Sequence, residues 1–408
     1  MNRIIALLVV AVAVACNDGR PVGPDSPALA ASRAGVPFTE RLVSPEWQAT
    51  AASLAAQARI SPPAGARALS LLGVAQYLAV QEAEATAGGT DANSEATGIG
   101  LGTGGRRRLE TDRGAVAGAS AVVLTYLFPS QAQALEDLVS AQADAGPGQR
   151  HPAFAAAEAI GRAVGAEIVA RAQGDGFNNA FTPTIPTGPG YWISNTIPPS
   201  VVGGTLPGTR PWFLNSADQF RSPPPPAIGS AAFQADLAEI RQISDTRTAE
   251  QAQIAIFWVP NRWLPFATDR INEHQLSERE ATHLYALLNA TIFDALIACW
   301  DTKQTFWFIR PWQADVGITV VPEVGKPNHP AYPSGHSCSS ASAAEVLKTF
   351  FPERGAQLDA MVTAAGLARM YAGIHYQFDI DAGRAIGRSV AAFAIARDAS
   401  GSSVLTPR

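Results

Sequence analysis

The sequence predicts an all-α protein: two packed helical bundles with a long proline- and glycine-rich loop between them. Three observations carry that reading. Apolar residues recur at helical spacing on both sides of residue 200, no stretch alternates long enough to build a sheet, and residues 174–230 follow neither pattern.

The chain opens with Arg3 and an apolar run from Ile4 to Ala15, too short to span a bilayer and shaped like a secretory signal. Ala13-Val14-Ala15-Cys16 fits a small-residue cleavage site and resembles a bacterial lipobox, with Ala13 where Leu is usual. Residues 1–16 are therefore expected to direct export, with a lipid at Cys16 or plain cleavage after Ala15. Residues 17–44 read as a flexible tether.

An N-terminal bundle is expected over 45–173. Its first helical stretch, up to about Gln81, is divided by Pro62 and Pro63. Residues 88–114 are polar and glycine-rich and read as a mobile loop. Arg106, Arg107 and Arg108 stand in it with no interleaved aromatic, so they read as solvated rather than as an anion-binding patch. Helical spacing resumes at 115–128, 130–143 and 152–173. Residues 174–230 hold prolines and glycines with aromatics among them, which predicts an ordered loop wrapped on the body rather than a linker. A C-terminal bundle over 231–400 takes helices at 231–243, 247–258, 277–308, 338–350, 355–371 and 379–397.

Composition narrows the function. A net charge of −5 and 47% hydrophobic residues describe a globular chain with no footprint for nucleic acid. No run is expected to reach the roughly 18–20 apolar residues of a membrane span. Cys16, Cys299 and Cys338 cannot form a disulfide framework; the last two read as buried thiols, or as a pair closed after export.

Reactive residues concentrate in three segments of the C-terminal third. In the first, Lys303 and Arg310 lie seven apart, nearly two helical turns, which places both on one helix face before Pro311 ends the helix. Trp300, Phe306, Trp307 and Phe308 surround them, so the cations read as buried and in need of an anion, or as snorkelling at the surface. In the second, His329-Pro-Ala-Tyr-Pro-Ser334-Gly335-His336 holds an irregular turn just before a helix. A helix start with a hydroxyl, a glycine and a histidine suits an oxyanion and a proton transfer; alone it also fits an N-cap with a surface histidine. In the third, Arg369 precedes His375 and Asp379, which are four apart. If helical, the carboxylate reaches one imidazole nitrogen and leaves the other as a free lone pair; a surface pair fits the same spacing. Gly373 is expected to break the helix between Arg369 and His375. Three cations suit a tetrahedral oxyanion better than a carboxylate, at about 4 kcal/mol each at 4 Å and an effective dielectric near 20, before desolvation.

Lys-x6-Arg-Pro, Pro-Ser-Gly-His and Arg-x5-His-x3-Asp, in that order, resemble the vanadium-dependent haloperoxidase and type 2 phosphatidic acid phosphatase (PAP2) superfamily. The likeness is close over 295–382 and loose over 45–400. Trp300, the Gln219-Phe220-Arg221-Ser-Pro-Pro-Pro-Pro loop and the segment Ala170 to Gly176 look like its soluble bacterial haloperoxidase branch. The resemblance implies vanadate as cofactor, with neither haem nor nucleotide. Lys303, Arg310, Ser334, Gly335 and Arg369 would hold its oxygens, His375 would be the metal ligand, and His336 the acid–base group. Asp379 would orient His375. Ala368 stands where the family usually has Ser, and Gln377 where an Arg is common; neither is a ligand.

The implied reaction is oxidation of halide by hydrogen peroxide, with a small organic acceptor taking the halogen. His329 resembles the algal bromoperoxidases rather than the fungal chloroperoxidases, which implies bromide and iodide ahead of chloride. The same residues fit an exported acid phosphatase working through a phosphohistidine at His375, or an oxyanion-binding lipoprotein without turnover. Membrane contact is expected only through a lipid at Cys16, nucleic acid is not expected as a partner, and an oligomer is compatible with the reading.

Overall fold

The computed structural model describes residues 42–91, 103–143 and 150–406. The export segment, Cys16 and the tether as far as residue 41 lie outside these residues. Among the described residues there are thirteen α-helices and no strand: α1 Ser44–Gln57, α2 Pro62–Asp91, α3 Thr103–Leu127, α4 Ala132–Ala143, α5 Pro152–Gln173, α6 Ala231–Thr246, α7 Ala249–Phe257, α8 Trp263–Glu273, α9 Glu278–Phe306, α10 Pro311–Ala314, α11 Gly335–Phe350, α12 Gly355–Tyr371 and α13 Gln377–Ala399.

Helix α9 is the axis of the fold. It starts on a capping box in which Ser277 Oγ accepts from the Glu280 N–H, and Glu280 accepts from the Ser277 N–H at 2.8 Å. From Tyr285 to Lys303 every side chain is buried, because helices of both halves cover it. α2 lies on it so closely that a Cβ on Gly73 would stand 2.9 Å from the Tyr285 carbonyl. Length and composition would let α9 cross a membrane, contrary to the expectation that no run suffices. Yet 94% of its apolar window is buried inside the fold, as in a soluble core helix. Burial of Glu278 is satisfied by the Val43 and Ser44 N–H groups at 2.9 and 2.8 Å, which fixes the start of α1.

α3 and α5 cross on small residues. A Cβ on Gly118 would meet the Glu158 carbonyl at 2.2 Å, and one on Gly161 the Ala115 carbonyl at 2.1 Å. Such an approach gains backbone packing and tolerates no side chain. A similar crossing holds α13 on α11, where a Cβ on Gly387 would lie 2.3 Å from the Cys338 carbonyl.

Two expectations about elements fail. Residues 103–114 are not a loop but the first turns of α3, and 88–91 finish α2. Arg108 pairs with Glu84 at 2.8 Å, and buried Arg113 with Glu110, so tertiary contacts outweigh the cost of the glycines. α8 was not expected, yet Pro265 falls in its first turn, where no intrahelical N–H is needed.

Residues 174–230 are fixed along their length. Asp294 of α9, fully buried, accepts from the Trp212, Phe213 and Leu214 N–H groups at 2.7–3.0 Å. Arg221 makes a two-pronged ion pair with Asp301 at 2.7 and 2.8 Å, and Tyr332 donates to the Pro223 carbonyl. Trp300 Nε1 donates to the Val202 carbonyl at 2.7 Å, and Gln304 to that of Gly204. The loop thus lies along the C-terminal turns of α9, which carry Lys303.

Candidate active site

Lys303 sits in the last turn of α9 and is fully buried. Its Nζ donates to the carbonyls of Pro330 and Ala331 at 2.7 and 2.8 Å, and to that of Pro333. The proline-rich segment provides this cage because prolines lack an N–H and leave carbonyls turned inward. Burial lowers the ammonium pKa to about 8.

Arg310 does not continue the α9 face, contrary to the seven-residue spacing argument. Trp307 ends the helix in a left-handed conformation, φ 48°, and its N–H returns to the Lys303 carbonyl. The chain then runs extended, and Arg310 precedes α10 with Pro311 at the first helical position; Pro311 starts a helix instead of ending one. The Arg310 guanidinium is fully buried. Nε donates to the His329 carbonyl at 3.0 Å, Nη1 to the Ile374 carbonyl at 2.7 Å and to His375 Nε2 at 3.1 Å, and Nη2 to His329 Nδ1 at 3.1 Å. Its pKa is lowered to about 10 by burial.

The third segment also departs from a straight helix. α12 ends at Tyr371, and Gly373 reverses the chain at φ +78°. His375 is therefore outside any helix, while Asp379 lies in the first turn of α13. The carboxylate Oδ2 accepts from His375 Nδ1 at 2.8 Å and from the Tyr376 N–H at 3.1 Å, pairing and capping at once. With Nδ1 donating to Asp379 and Nε2 facing an arginine donor, His375 is the neutral tautomer with its lone pair on Nε2. Burial, then Arg310 and Lys303, hold its pKa well below the usual range. Burial raises the Asp379 carboxyl to about 7.

Ser334 caps α11, accepting from the Ser337 N–H at 3.3 Å, and its own N–H donates to the Asp379 carbonyl at 2.8 Å. The Gly335 and His336 N–H groups open α11, where the helix itself supplies no acceptor. A Cβ on Gly335 would stand 3.0 Å from the Trp300 ring, so the indole sets the close approach at this turn. His336 Nε2 faces the Trp258 carbonyl at 3.1 Å, which makes it the protonated nitrogen and leaves Nδ1 as a lone pair. Burial and then Arg369 push its pKa down to about 3. Arg369 Nη2 donates to the Ala255 carbonyl at 2.7 Å, and burial lowers its pKa to about 10. His329 packs on Trp300 with ring centroids 4.9 Å apart. Ala368 is buried without a polar group, and Gln377 donates to Asp381 at the surface.

The three cations thus meet carbonyls and histidines, and among the described residues none forms an ion pair with a carboxylate. Arg369 Nε and Asp379 Oδ1 are buried with no protein partner. Buried cations with a spare donor and two helix-start N–H groups fit a tetrahedral oxyanion, so this donor set is chemically suited to vanadate as well as phosphate. Sequence reading missed the carbonyls of Ala255, Trp258, Pro330, Ala331, Pro333 and Ile374 that aim these groups. Main-chain atoms carry no sequence signal, although the prolines around Ala331 hinted at free carbonyls.

Residues 281–399 match the PAP2 superfamily, a superfamily of enzymes that includes phosphatases and haloperoxidases. The all-α fold is shared with solved structures of vanadium haloperoxidases. A bacterial vanadium-dependent iodoperoxidase superposes with a TM-score of 0.68 at 23% identity, covering 86% of this chain and 96% of its own. A holo-type bacterial vanadium-dependent chloroperoxidase gives 0.63 at 15%, covering 82% and 92%. By sequence, the chain is 27% identical to a non-specific acid phosphatase of Providencia stuartii over 220 residues, 50% of this chain and 86% of that protein. It is 29% identical to one of Salmonella typhi over 178 residues, 41% and 70% of the two chains.

Proposed function

We propose that the protein is an exported vanadium-dependent haloperoxidase that oxidises iodide and bromide in preference to chloride. The observation that carries this reading over a phosphatase is extent. The likeness to the iodoperoxidase takes in 86% of the chain, whereas the alignment with the Providencia phosphatase stops at half. The 174–230 loop, through the Val202 and Gly204 carbonyls, bonds Trp300 and Gln304 beside Lys303.

Lys303, Arg310, Ser334, the Gly335 N–H and Arg369 are the residues that would hold vanadate oxygens, and His375 Nε2 the metal. When bound, vanadate supplies Lewis-acid activation of peroxide toward halide without a change in its own oxidation state. The protein's part is electrostatic and protonic. Lys303 and the arginines offer fixed positive charge in a buried site, so little reorganisation is needed as oxyanion charge develops. Asp379 keeps the His375 proton on Nδ1 and its lone pair on Nε2. His336 enters neutral and takes a proton from hydrogen peroxide at Nδ1, while the Trp258 carbonyl holds Nε2–H. His329, in contact with Arg310 and Trp300, is the residue we assign to halide preference.

The sequence likeness to acid phosphatases favours a second reading at the same residues. There His375 Nε2 attacks phosphorus, the three cations hold the equatorial oxygens, and His336 protonates the leaving group. Export, and a lipid at Cys16 as the sole membrane contact, rest on the N-terminal sequence. The test is a paired assay on metal-stripped protein, with and without orthovanadate: iodide- and bromide-dependent halogenation of a dye by hydrogen peroxide, beside hydrolysis of a chromogenic phosphate monoester. Vanadate-dependent halogenation is expected. Ester hydrolysis that vanadate inhibits, with no halogenation, overturns the peroxidase reading.

A further inference from the structure

Cys299 and Cys338 are both fully buried, and neither has a place in the chemistry above. They come from two of the helices that build the site. Cys299 lies one turn before Lys303 on α9, and Cys338 one turn after Ser334 on α11, where its N–H donates to the Ser334 carbonyl at 3.0 Å. The turn between them brings the two together: Cys299 Sγ reaches Pro333, the residue before Ser334, and Cys338 is tied back to Ser334, so each thiol falls within the electrostatic reach of the other. The Cys299 thiol reaches the Pro333 carbonyl at 3.8 Å, a carbonyl that Lys303 Nζ also holds. Two neighbouring thiols beneath a site that would take up peroxide are chemically exposed even where they are sterically hidden, because hydrogen peroxide is a water-sized oxidant.

We propose that Cys299 and Cys338 are an oxidisable dithiol that hydrogen peroxide closes to a disulfide, and that closure weakens oxyanion binding. The Cys299 thiolate attacks one peroxide oxygen; the S–O bond forms, the O–O bond breaks, and hydroxide leaves to take up a proton as water. The Cys338 sulfur then attacks the sulfenic sulfur. The S–S bond forms, the S–O bond breaks, and a second water leaves. In sum two thiols give two electrons and two protons to one hydrogen peroxide, and the products are one disulfide and two waters.

Consequences for the site follow from the bonds lost. The Cys299 S–H no longer donates to the Pro333 carbonyl, and the new bond ties the first turn of α11 to α9. Lys303 and the Ser334 turn are held by these same atoms, so both shift from their resting geometry. The Cys299 thiol is the better starting nucleophile: burial raises its pKa, but the Cys338 thiol and the Lys303 charge outweigh that and leave it below the usual thiol range.

The inference rests on the peroxidase reading only for the source of the oxidant, so added hydrogen peroxide and an affinity measurement test it separately. The full mature chain is reduced, then treated with hydrogen peroxide in the absence of halide, digested and examined by mass spectrometry. Orthovanadate affinity is measured by calorimetry before treatment, after it, and after re-reduction by a thiol. The expected result is a peptide pair joined through Cys299 and Cys338, a dissociation constant weakened about tenfold, and recovery on reduction. Cys338→Ala, and independently Cys299→Ala, should bind orthovanadate with an affinity that peroxide leaves unchanged. Both thiols still free after treatment, sulfinic acid without a cross-link, or a cross-link with unchanged affinity in the wild-type chain would each overturn the proposal. Vanadate-dependent halogenation in a protein that forms no such cross-link leaves the function standing and removes this inference alone.

Discussion

Replacing Lys303 with methionine keeps the volume of the stem and removes the charge. Nζ is fully buried and caged by the carbonyls of Pro330, Ala331 and Pro333. At an effective dielectric near 20, an ammonium about 4 Å from an oxyanion oxygen contributes roughly 4 kcal/mol of attraction. The resting protein holds this charge at a cost, since a pKa lowered from 10.5 to about 8 corresponds to about 3 kcal/mol. That cost is present in bound and free protein alike, so it does not cancel the attraction to the ligand. Orthovanadate affinity in Lys303→Met should therefore fall by about two to three orders of magnitude, measured by calorimetry at pH 7. Stability has opposing terms, because the variant drops the charge penalty and strands carbonyls at about 1–3 kcal/mol each. A modest fall in Tm is expected. A variant that folds and binds orthovanadate within about threefold of wild type would refute the assignment of Lys303 to the oxyanion.

Other outcomes follow from the same geometry. The affinity of the wild-type site for orthophosphate should drop by about one log unit per pH unit above about 8, as free Lys303 loses its proton. The same depressed pKa means that the unfolded chain binds the extra proton between pH 8 and 10.5, so this group's contribution makes ligand-free protein more stable as pH rises through that window; Lys303→Met should lose the slope in a Tm series. Asp379→Asn should lower orthovanadate affinity by about 10–100-fold through loss of the imidazole orientation, with far-UV circular dichroism unchanged. His329→Phe removes an acceptor of Arg310 Nη2 and an imidazole from the Trp300 face. It should raise the ratio of chloride to bromide turnover, and an unchanged ratio would clear His329 of that role.

What sequence reading reached and what it missed have physical causes. Helices α5, α6, α9, α12 and α13 were legible because their apolar stripes are long and their ends carry Ser, Pro or Gly signals. The start of α3 was hidden because its glycines argue for a loop, while buried Arg113 and Glu110 that hold the helix act at tertiary range. α8 was hidden by Pro265, a residue that forbids a helix interior but not a first turn. The chemistry-bearing residues were visible as types and spacings, yet two spacings gave the wrong geometry. Lys303 and Arg310 do not share a face, because Trp307 adopts a left-handed cap with no glycine to announce it. His375 and Asp379 do meet, through capping of α13 rather than one turn of a continuous helix. The carbonyl cage around Lys303 has no counterpart in a side-chain alphabet at all.

The most direct test of the account is a crystal structure of the mature protein grown with orthovanadate, with vanadium located by its anomalous signal. One strong peak bonded to His375 Nε2 is expected, with Lys303, Arg310 and Arg369 in contact with its oxygens and Asp379 still on His375 Nδ1. Vanadium bound elsewhere, or none at saturating orthovanadate with His375 still fixed on Asp379, would contradict it.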